Sequence, residues 1–481
     1  MSPRKHFIVS HPEAVHWLAL LLSLSFAKLI VFVLDSNPQV CLGDSMSYLT
    51  TAMKQWIPPD RSFVYGYVLN YLTARARSLN SLLAVQSFMG IATSMLSALI
   101  LFRFFRVSFA ASAAIAFLLT LEPQQLLYER FVMTESMSTT IFAVFLFLAL
   151  EYLRTRKLWL LVAVQSAGVL LVAFRVSFVP MLLVATVAVP LFATLKQNIR
   201  KISGENLRQP AIHLVVSILC FWGLHTAYKS WNGSLSRLPP AYSYSDGFFL
   251  LSNVSPLVTS ADTDNAEVAR VLSQPLVYAS WPEAMNSRNA EMFSPDGIVE
   301  RLKAVIKNDY ESNLEARRIA YHVLGRDPFG FVRLSIPSYF KFFSRSYMKD
   351  ILMGESGMRP LGPDELQILA HYHLDAEGLP FMKTITRQYF IASWPFFIVV
   401  VNTPLVMVLA LMGVDSGTRR YAWMAIVITS THVAAVQVLG VEPSPRHLHA
   451  ATVSLAIAIG IIAGRLSVSS GNQSRPAIPR G

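Results

Sequence analysis

The chain has 481 residues, of which 53% are hydrophobic and 15% charged. That balance, with the apolar residues gathered in runs, excludes an ordinary soluble domain. The formal net charge of +12 does not point to nucleic acid, because Lys and Arg sit mainly in short segments between the runs, where they orient membrane helices; the lipid bilayer is the expected surrounding.

Arg4 and Lys5 precede the apolar run from roughly His16 to Leu34. It outlines a signal peptide but is long, and no small-x-small cleavage site follows, so it is read as an uncleaved first span with a cytoplasmic N-terminus. The segment from Asp35 to about Asn80 is then outside. It holds the polar island from Cys41 to Tyr48, with Asp44 at its centre, the turn at Pro58 to Arg61, and a semi-apolar piece from Phe63 to Leu72.

Runs at Leu82 to Phe102, Ser108 to Leu121, Ser136 to Leu153, Leu158 to Phe174, Phe178 to Leu195 and Ala211 to Tyr228 alternate across the membrane. Arg103, Arg106, Arg154, Arg156, Lys157, Lys196, Arg200 and Lys201 mark the inner loops. The stretch from about Lys229 to Gln388 has soluble composition and is too long for a connection, which predicts an α-rich extracytoplasmic domain. Spans resume at Tyr389 to Met412, Ala422 to Leu439 and His449 to Gly464, where Gly460 and Gly464 mark close helix packing.

The expected fold is an all-α polytopic membrane protein of about ten transmembrane helices with one α-rich extracytoplasmic domain. Its parts are an N-terminal transmembrane region (1–228), the outer domain (229–388), C-terminal transmembrane helices (389–466) and a disordered cytoplasmic tail (467–481). Two lone cysteines, Cys41 and Cys220, give neither a disulfide framework nor metal-ligand spacing.

Acids and isolated arginines gather at the outer ends: Asp44, Glu122, Glu129, Glu135, Arg175, Glu442 and Arg446. Ionisable groups near membrane depth are costly and mark function or pairing. Asp44 reads either as a helix N-cap or as a general base, roles that are compatible because a cap fixes the carboxylate. Glu129 and Glu135 read as site residues or as salt-bridge partners of Arg130 or another loop arginine. Arg175 and Arg446 suit bidentate phosphate contacts or snorkelling to the interface. His447, His449 and Glu442 could ligate a metal, although two histidines at i and i+2 point apart on a helix. Trp231, Tyr242, Tyr244 and Trp281 could stack on sugar or form a small core.

The motifs from Asp44 onward resemble the C-type glycosyltransferase superfamily, the multi-spanning enzymes that use polyprenyl-phosphate sugars. Gly43-Asp44-Ser45-Met46-Ser47-Tyr48 is similar to the family's acidic first-loop motif, and Asp60-Arg61-Ser62-Phe63-Val64-Tyr65-Gly66-Tyr67 to the entry of its next helix, without the expected proline near Gly66. The segment from Glu122-Pro123 through Tyr128-Glu129 to Thr134-Glu135 resembles the second outer loop. Arg175 before Pro180 sits where the family often carries an arginine, and Glu442-Pro443-Ser444-Pro445-Arg446-His447-Leu448 is similar to a late Arg-Tyr motif, with His447 in place of the aromatic residue. The segment Glu315 to Phe343 looks like juxtamembrane helices of such enzymes.

The resemblance implies transfer of a sugar from a polyprenyl-phosphate donor to an acceptor at the outer face, with inversion. Asp44 would be the base, with Glu129 or Glu135 orienting the acceptor or holding a divalent metal. Arg175 and Arg446 would receive the phosphate, and Tyr48 and Arg61 would bind substrate. A bacterial plasma membrane is the expected location. Rival expectations are a ligase or polymerase of lipid-linked glycans and a transporter of a lipid-linked or anionic substrate.

Overall fold

The computed structural model describes residues 12–41, 43–73, 76–198, 204–277, 288–356, 361–374, 384–440 and 444–472. Arg4, Lys5, Arg200, Lys201, Trp281, Glu442 and the residues after Asn472 lie outside them. Among the described residues every regular element is helical, and the extended chain pairs only at an isolated parallel bridge between Gln39 and Phe131.

Six helices are long and apolar enough to cross a membrane: Glu13–Leu34, Asn80–Phe105, Glu135–Thr155, Val176–Ala193, Arg208–Ser236 and Arg419–Leu439. Three shorter apolar helices, Phe109–Thr120, Leu158–Phe174 and Ala451–Leu466, pack among them. The chain is an all-α membrane protein. Leu18, Leu22, Phe26, Leu29 and Val33 are exposed at helical spacing along the first helix, the pattern of a lipid-facing stripe. On its other side Leu20 and Leu24 pack with Ile91, Ala98 and Ala116. Gly460 and Gly464 let the last helix close on Leu101 and Val107, and a Cβ at Gly460 would collide with Leu101.

The predicted span Tyr389 to Met412 is broken. It divides into Ile385–Ala392, Trp394–Val401 and Thr403–Leu411, and the last two meet at 61°. Pro395 and Pro404 open these two helices, and proline has no N–H to continue the turn before it. Asn402 fills the break, donating from Nδ2 to the Ile398 carbonyl at 2.7 Å and accepting from Tyr339 Oη at 2.8 Å. Two boundaries also move. The helix Gly204–Ser236 continues past residue 228, since no proline intervenes before Pro239, and Ala451–Asn472 passes residue 467 for the same reason. Farther along, Asp246–Val254, Ile298–Ile306 and Asp309–Arg326 share a core of Phe248, Leu251, Leu302, Ile319 and Val323.

The bundle has two chemically different ends. At one, Arg103 grips Glu151 at 3.0 and 3.1 Å, Arg154 joins it at 2.5 Å, and Arg465 donates to the Met412 carbonyl. At the other end Glu135 begins its helix facing Arg175, close to the Asp44 helix, Asp44–Lys54. The Gln39 bridge ties the segment after the first helix to the segment before Glu135–Thr155 through Gln39 N–H to Arg130 O (2.7 Å) and Val132 N–H to Gln39 O (2.9 Å).

Candidate active site

Asp44 is the first residue of a helix whose N-cap position is Gly43, and no side chain caps that end. The capping alternative therefore fails: the carboxylate turns away from its own helix to two arginines. Oδ1 accepts from Arg61 at 2.5 Å and Oδ2 from Arg446 at 2.7 Å. Ser45 fixes the helix start by accepting from Cys41 N–H and donating to the Val132 carbonyl.

Arg61 also forks onto Asp60, and its guanidinium carbon lies 5.8 Å from the Tyr48 ring centroid. Tyr48 is buried beneath it, edge-on to Tyr65 at 4.9 Å, and Tyr65 Oη donates to Gln86. Arg175 donates to Glu135 at 2.8 Å and to the Arg446 carbonyl at 3.4 Å, which joins this pair to the clamp on Asp44. Three guanidiniums and three carboxylates thus meet from segments far apart in the chain. The arginines keep 14–16% of their side chains exposed and Asp44 keeps 27%, so solvent reaches the cluster.

Burial alone would raise the Asp44 carboxyl, but Arg446 and Arg61 outweigh it and hold the group well below the usual carboxylate range. Burial, then Arg175 and Arg446, keep the His447 imidazole far below its ordinary value; it is neutral and accepts from Arg446 Nε at 3.0 Å. Glu135 Oε2 is buried with no hydrogen-bond partner among the described residues.

Glu129 is placed elsewhere. It is fully buried and holds Lys28 of the first span at 2.7 Å, Gln125 at 2.8 Å and Arg130 at 3.3 Å. The pairing alternative describes it, though the nearest partner is Lys28 rather than a loop arginine. Gly90 makes room for this carboxylate, because a Cβ there would collide with Oε1. Glu122 caps the helix Pro123–Tyr128, bonding the N–H groups of Gln124 and Gln125, and burial pushes its carboxyl up to about 8 against those bonds.

His447 and His449 face different partners: His449 Nδ1 lies 3.1 Å from Thr139 and its Nε2 3.8 Å from Glu122. Among the described residues no three His, Cys, Asp or Glu side chains could hold a metal ion. Asp44, Asp60 and Glu135 are each already held by a guanidinium, a donor set that does not fit a divalent cation. Trp231 meets Phe63 edge-on at 4.8 Å, Tyr242 stacks on Tyr228, and Tyr244 lies near Tyr310, so these aromatics form small clusters with one another.

Asp60, Lys28 and His432 were not singled out from sequence. Lys28 carried a signal, a lone cation inside an apolar run. His432 did too: it is fully buried in the helix Arg419–Leu439, stacked on Phe178 at 4.6 Å. Compared with protein-family models, curated proteins and solved structures, the chain matches none of them.

Proposed function

We propose that the chain is a membrane glycosyltransferase of the C-type superfamily, carrying a sugar from a polyprenyl phosphate to an acceptor hydroxyl at the outer face of a bacterial plasma membrane. The observation that carries this reading is Asp44 held between Arg61 and Arg446, with Arg175 and Glu135 adjoining, at the end of the bundle opposite the Arg103, Arg154 and Arg465 cluster. By the positive-inside rule the end with the short basic loops of Arg103, Arg106, Arg154, Arg156 and Lys157 would face the cytoplasm and the Asp44 end outside. The six long helices, the bent pair and the three short apolar helices would together supply ten crossings.

A carboxylate clamped by two guanidiniums is a weak base. A donor phosphate is likewise a bidentate partner for arginine, and in competing for Arg446 and Arg175 it would loosen their hold on Asp44 and raise its basicity as the substrate arrives. Asp44 then takes the proton of the acceptor hydroxyl, the acceptor oxygen bonds to the anomeric carbon from the opposite face, and the carbon–oxygen bond to phosphate breaks. The charge that develops on the leaving polyprenyl phosphate is held by the arginines. Glu135 Oε2 orients the acceptor. No metal enters these steps.

Purified protein in detergent, with no sealed compartment, should consume a polyprenyl-phosphate sugar in the presence of acceptor; binding without turnover would favour a transporter. Arg175→Lys keeps the charge but loses the planar fork, so donor affinity should fall by about tenfold or more while folding persists. Equal donor affinity in wild type and Lys variant would leave Arg175 as a structural partner of Glu135. The topology has its own check. A cysteine replacing Ala266, an exposed residue in the first turn of Ala266–Leu272, should react with an impermeant maleimide in intact cells. Labelling only after permeabilisation would put the Asp44 end inside.

A further inference from the structure

Arg61 is held on two edges at once. Its Nε donates to Asp60 Oδ1 at 3.1 Å and its Nη2 to Asp60 Oδ2, a fork on the preceding residue, while Nη1 reaches Asp44 Oδ1 at 2.5 Å. A paired contact between arginine and phosphate needs two neighbouring N–H groups along one edge of the guanidinium. Asp60 occupies one such edge, and Asp44 takes the nitrogen that the other requires. A phosphate approaching Arg61 would also meet the charge of both carboxylates.

The fork belongs to a fixed turn. The Pro59 carbonyl accepts from Tyr244 N–H at 2.6 Å, and beyond Arg61 the Ser62 hydroxyl donates to the Ala173 carbonyl and accepts from Val64 N–H at 3.1 Å. Ala173 stands two residues before Arg175, so the turn is pinned to the helix end that leads into that arginine. The buried Tyr48 ring, 5.8 Å from the guanidinium carbon, covers one face of Arg61. Because Asp60 is joined to Arg61 through the chain, the pair re-forms without a partner having to diffuse in. Arg446 reaches the same Asp44 carboxylate from a late segment, through Nη1 to Oδ2 at 2.7 Å.

We infer that Asp60 is a positioning residue: it keeps Arg61 on Asp44 throughout the reaction, so that the donor's phosphate goes to Arg446 and Arg175 and not to Arg61. The inference rests on the reading of Asp44 as the base and of the donor as a polyprenyl phosphate. It reverses the expectation that Arg61 binds substrate, and it gives the two guanidiniums on Asp44 different tasks. Arg61 keeps the carboxylate oriented from its Oδ1 side, and Arg446 is the partner for which a phosphate competes.

The test titrates the full-length protein in detergent with undecaprenyl phosphate by calorimetry. Arg446→Lys should weaken binding about tenfold or more, through loss of the planar fork, and Arg61→Lys by less than about threefold. On an Asp60→Asn background the same Arg61→Lys change should cost about tenfold, because a guanidinium released from Asp60 turns an edge to the phosphate. Asp60→Glu, which keeps a carboxylate beside Arg61, should restore the small effect. A turn that Asp60 merely braced would give Arg61→Lys the same effect on every background, and that result overturns the inference. So does a loss in Arg61→Lys as large as that in Arg446→Lys. A second measurement needs no change at Arg61: phenylglyoxal modification of arginines, mapped by mass spectrometry. Undecaprenyl phosphate should protect Arg446 and leave Arg61 as it was, and Asp60→Asn should make Arg61 both reactive and protectable. Protection of Arg61 in the wild-type chain overturns the inference even where Arg61→Lys does not fold. If the phosphate binds but these patterns fail, Asp60 loses its role and the transferase reading stands. If undecaprenyl phosphate does not bind the wild-type chain at all, the transferase reading falls and takes the inference with it.

Discussion

Asp44→Asn should lower sugar transfer by a factor on the order of 10² to 10⁴, the usual worth of a general base, while donor binding persists. Asn keeps the shape of the side chain and a carbonyl oxygen for one arginine, but it cannot take a proton from the acceptor. Because the helix end is not capped by Asp44, the substitution costs no cap. The stability cost comes from leaving Arg61 and Arg446 without their shared carboxylate, in a cluster that solvent partly reaches. Asp44→Ala should therefore destabilise for the same reason. The sign of the pH effect follows from the depressed Asp44 carboxyl. Its stabilisation is fully present above the unfolded value near about 4 and is lost as pH falls through the lower folded value. The gap in thermal midpoint between wild type and Asp44→Asn should be constant between about pH 5 and 8 and shrink only in stronger acid. Wild-type transfer by the Asn variant would leave Asp44 as an arginine clamp and move the search for a base to Glu135.

Glu129→Gln should be the more destabilising change, by about 3–5 kcal/mol, because it strands a buried cation. Lys28 is 3% exposed and would keep Gln125 and Arg130 as neighbours with no carboxylate among them. The double variant Lys28→Met with Glu129→Gln should recover part of the loss, since it removes the stranded lysine and leaves only Arg130, held by the Asp35 and Leu126 carbonyls, without its carboxylate. The midpoint of thermal unfolding in a single detergent measures both. A Glu129→Gln protein that unfolds at the wild-type temperature but no longer transfers sugar would restore Glu129 to the chemistry.

The positions of most helices were legible because an apolar run of sufficient length has few other fates in a bilayer. Asp44, Arg175, Arg446 and Glu135 were legible as polarity at one end of the runs, but in one set with Glu122 and Glu129, which lie elsewhere, and without Arg61, which only the resemblance brought in. Their pairings were not. Asp44 lies 17 residues from Arg61 and 402 from Arg446, and nothing local in either stretch selects one guanidinium over another. The cap failed as a reading because tertiary attraction from two arginines outweighs a local bond to free N–H groups. The break at Asn402 was visible in principle, since Pro395 and Pro404 stand inside a single hydrophobic window. Glu129 was misplaced for want of its partner, because a lone lysine inside a run is hidden by the average over its neighbours.

Lys28 is synthesised 101 residues before Glu129. At about 5–20 residues per second the lysine waits on the order of 5–20 s for its counterion. A lone lysine at the centre of a span costs about 2.5–3.5 kcal/mol, and nearer the C-terminal end of its helix Lys28 can reach toward lipid headgroups instead. Until Glu129 is made, the ammonium of the first helix has to find another partner, and a headgroup is within the reach that snorkelling allows. The first helix is thus made well before its buried counterion, and the Lys28–Glu129 contact ties an early segment of the chain to a later one.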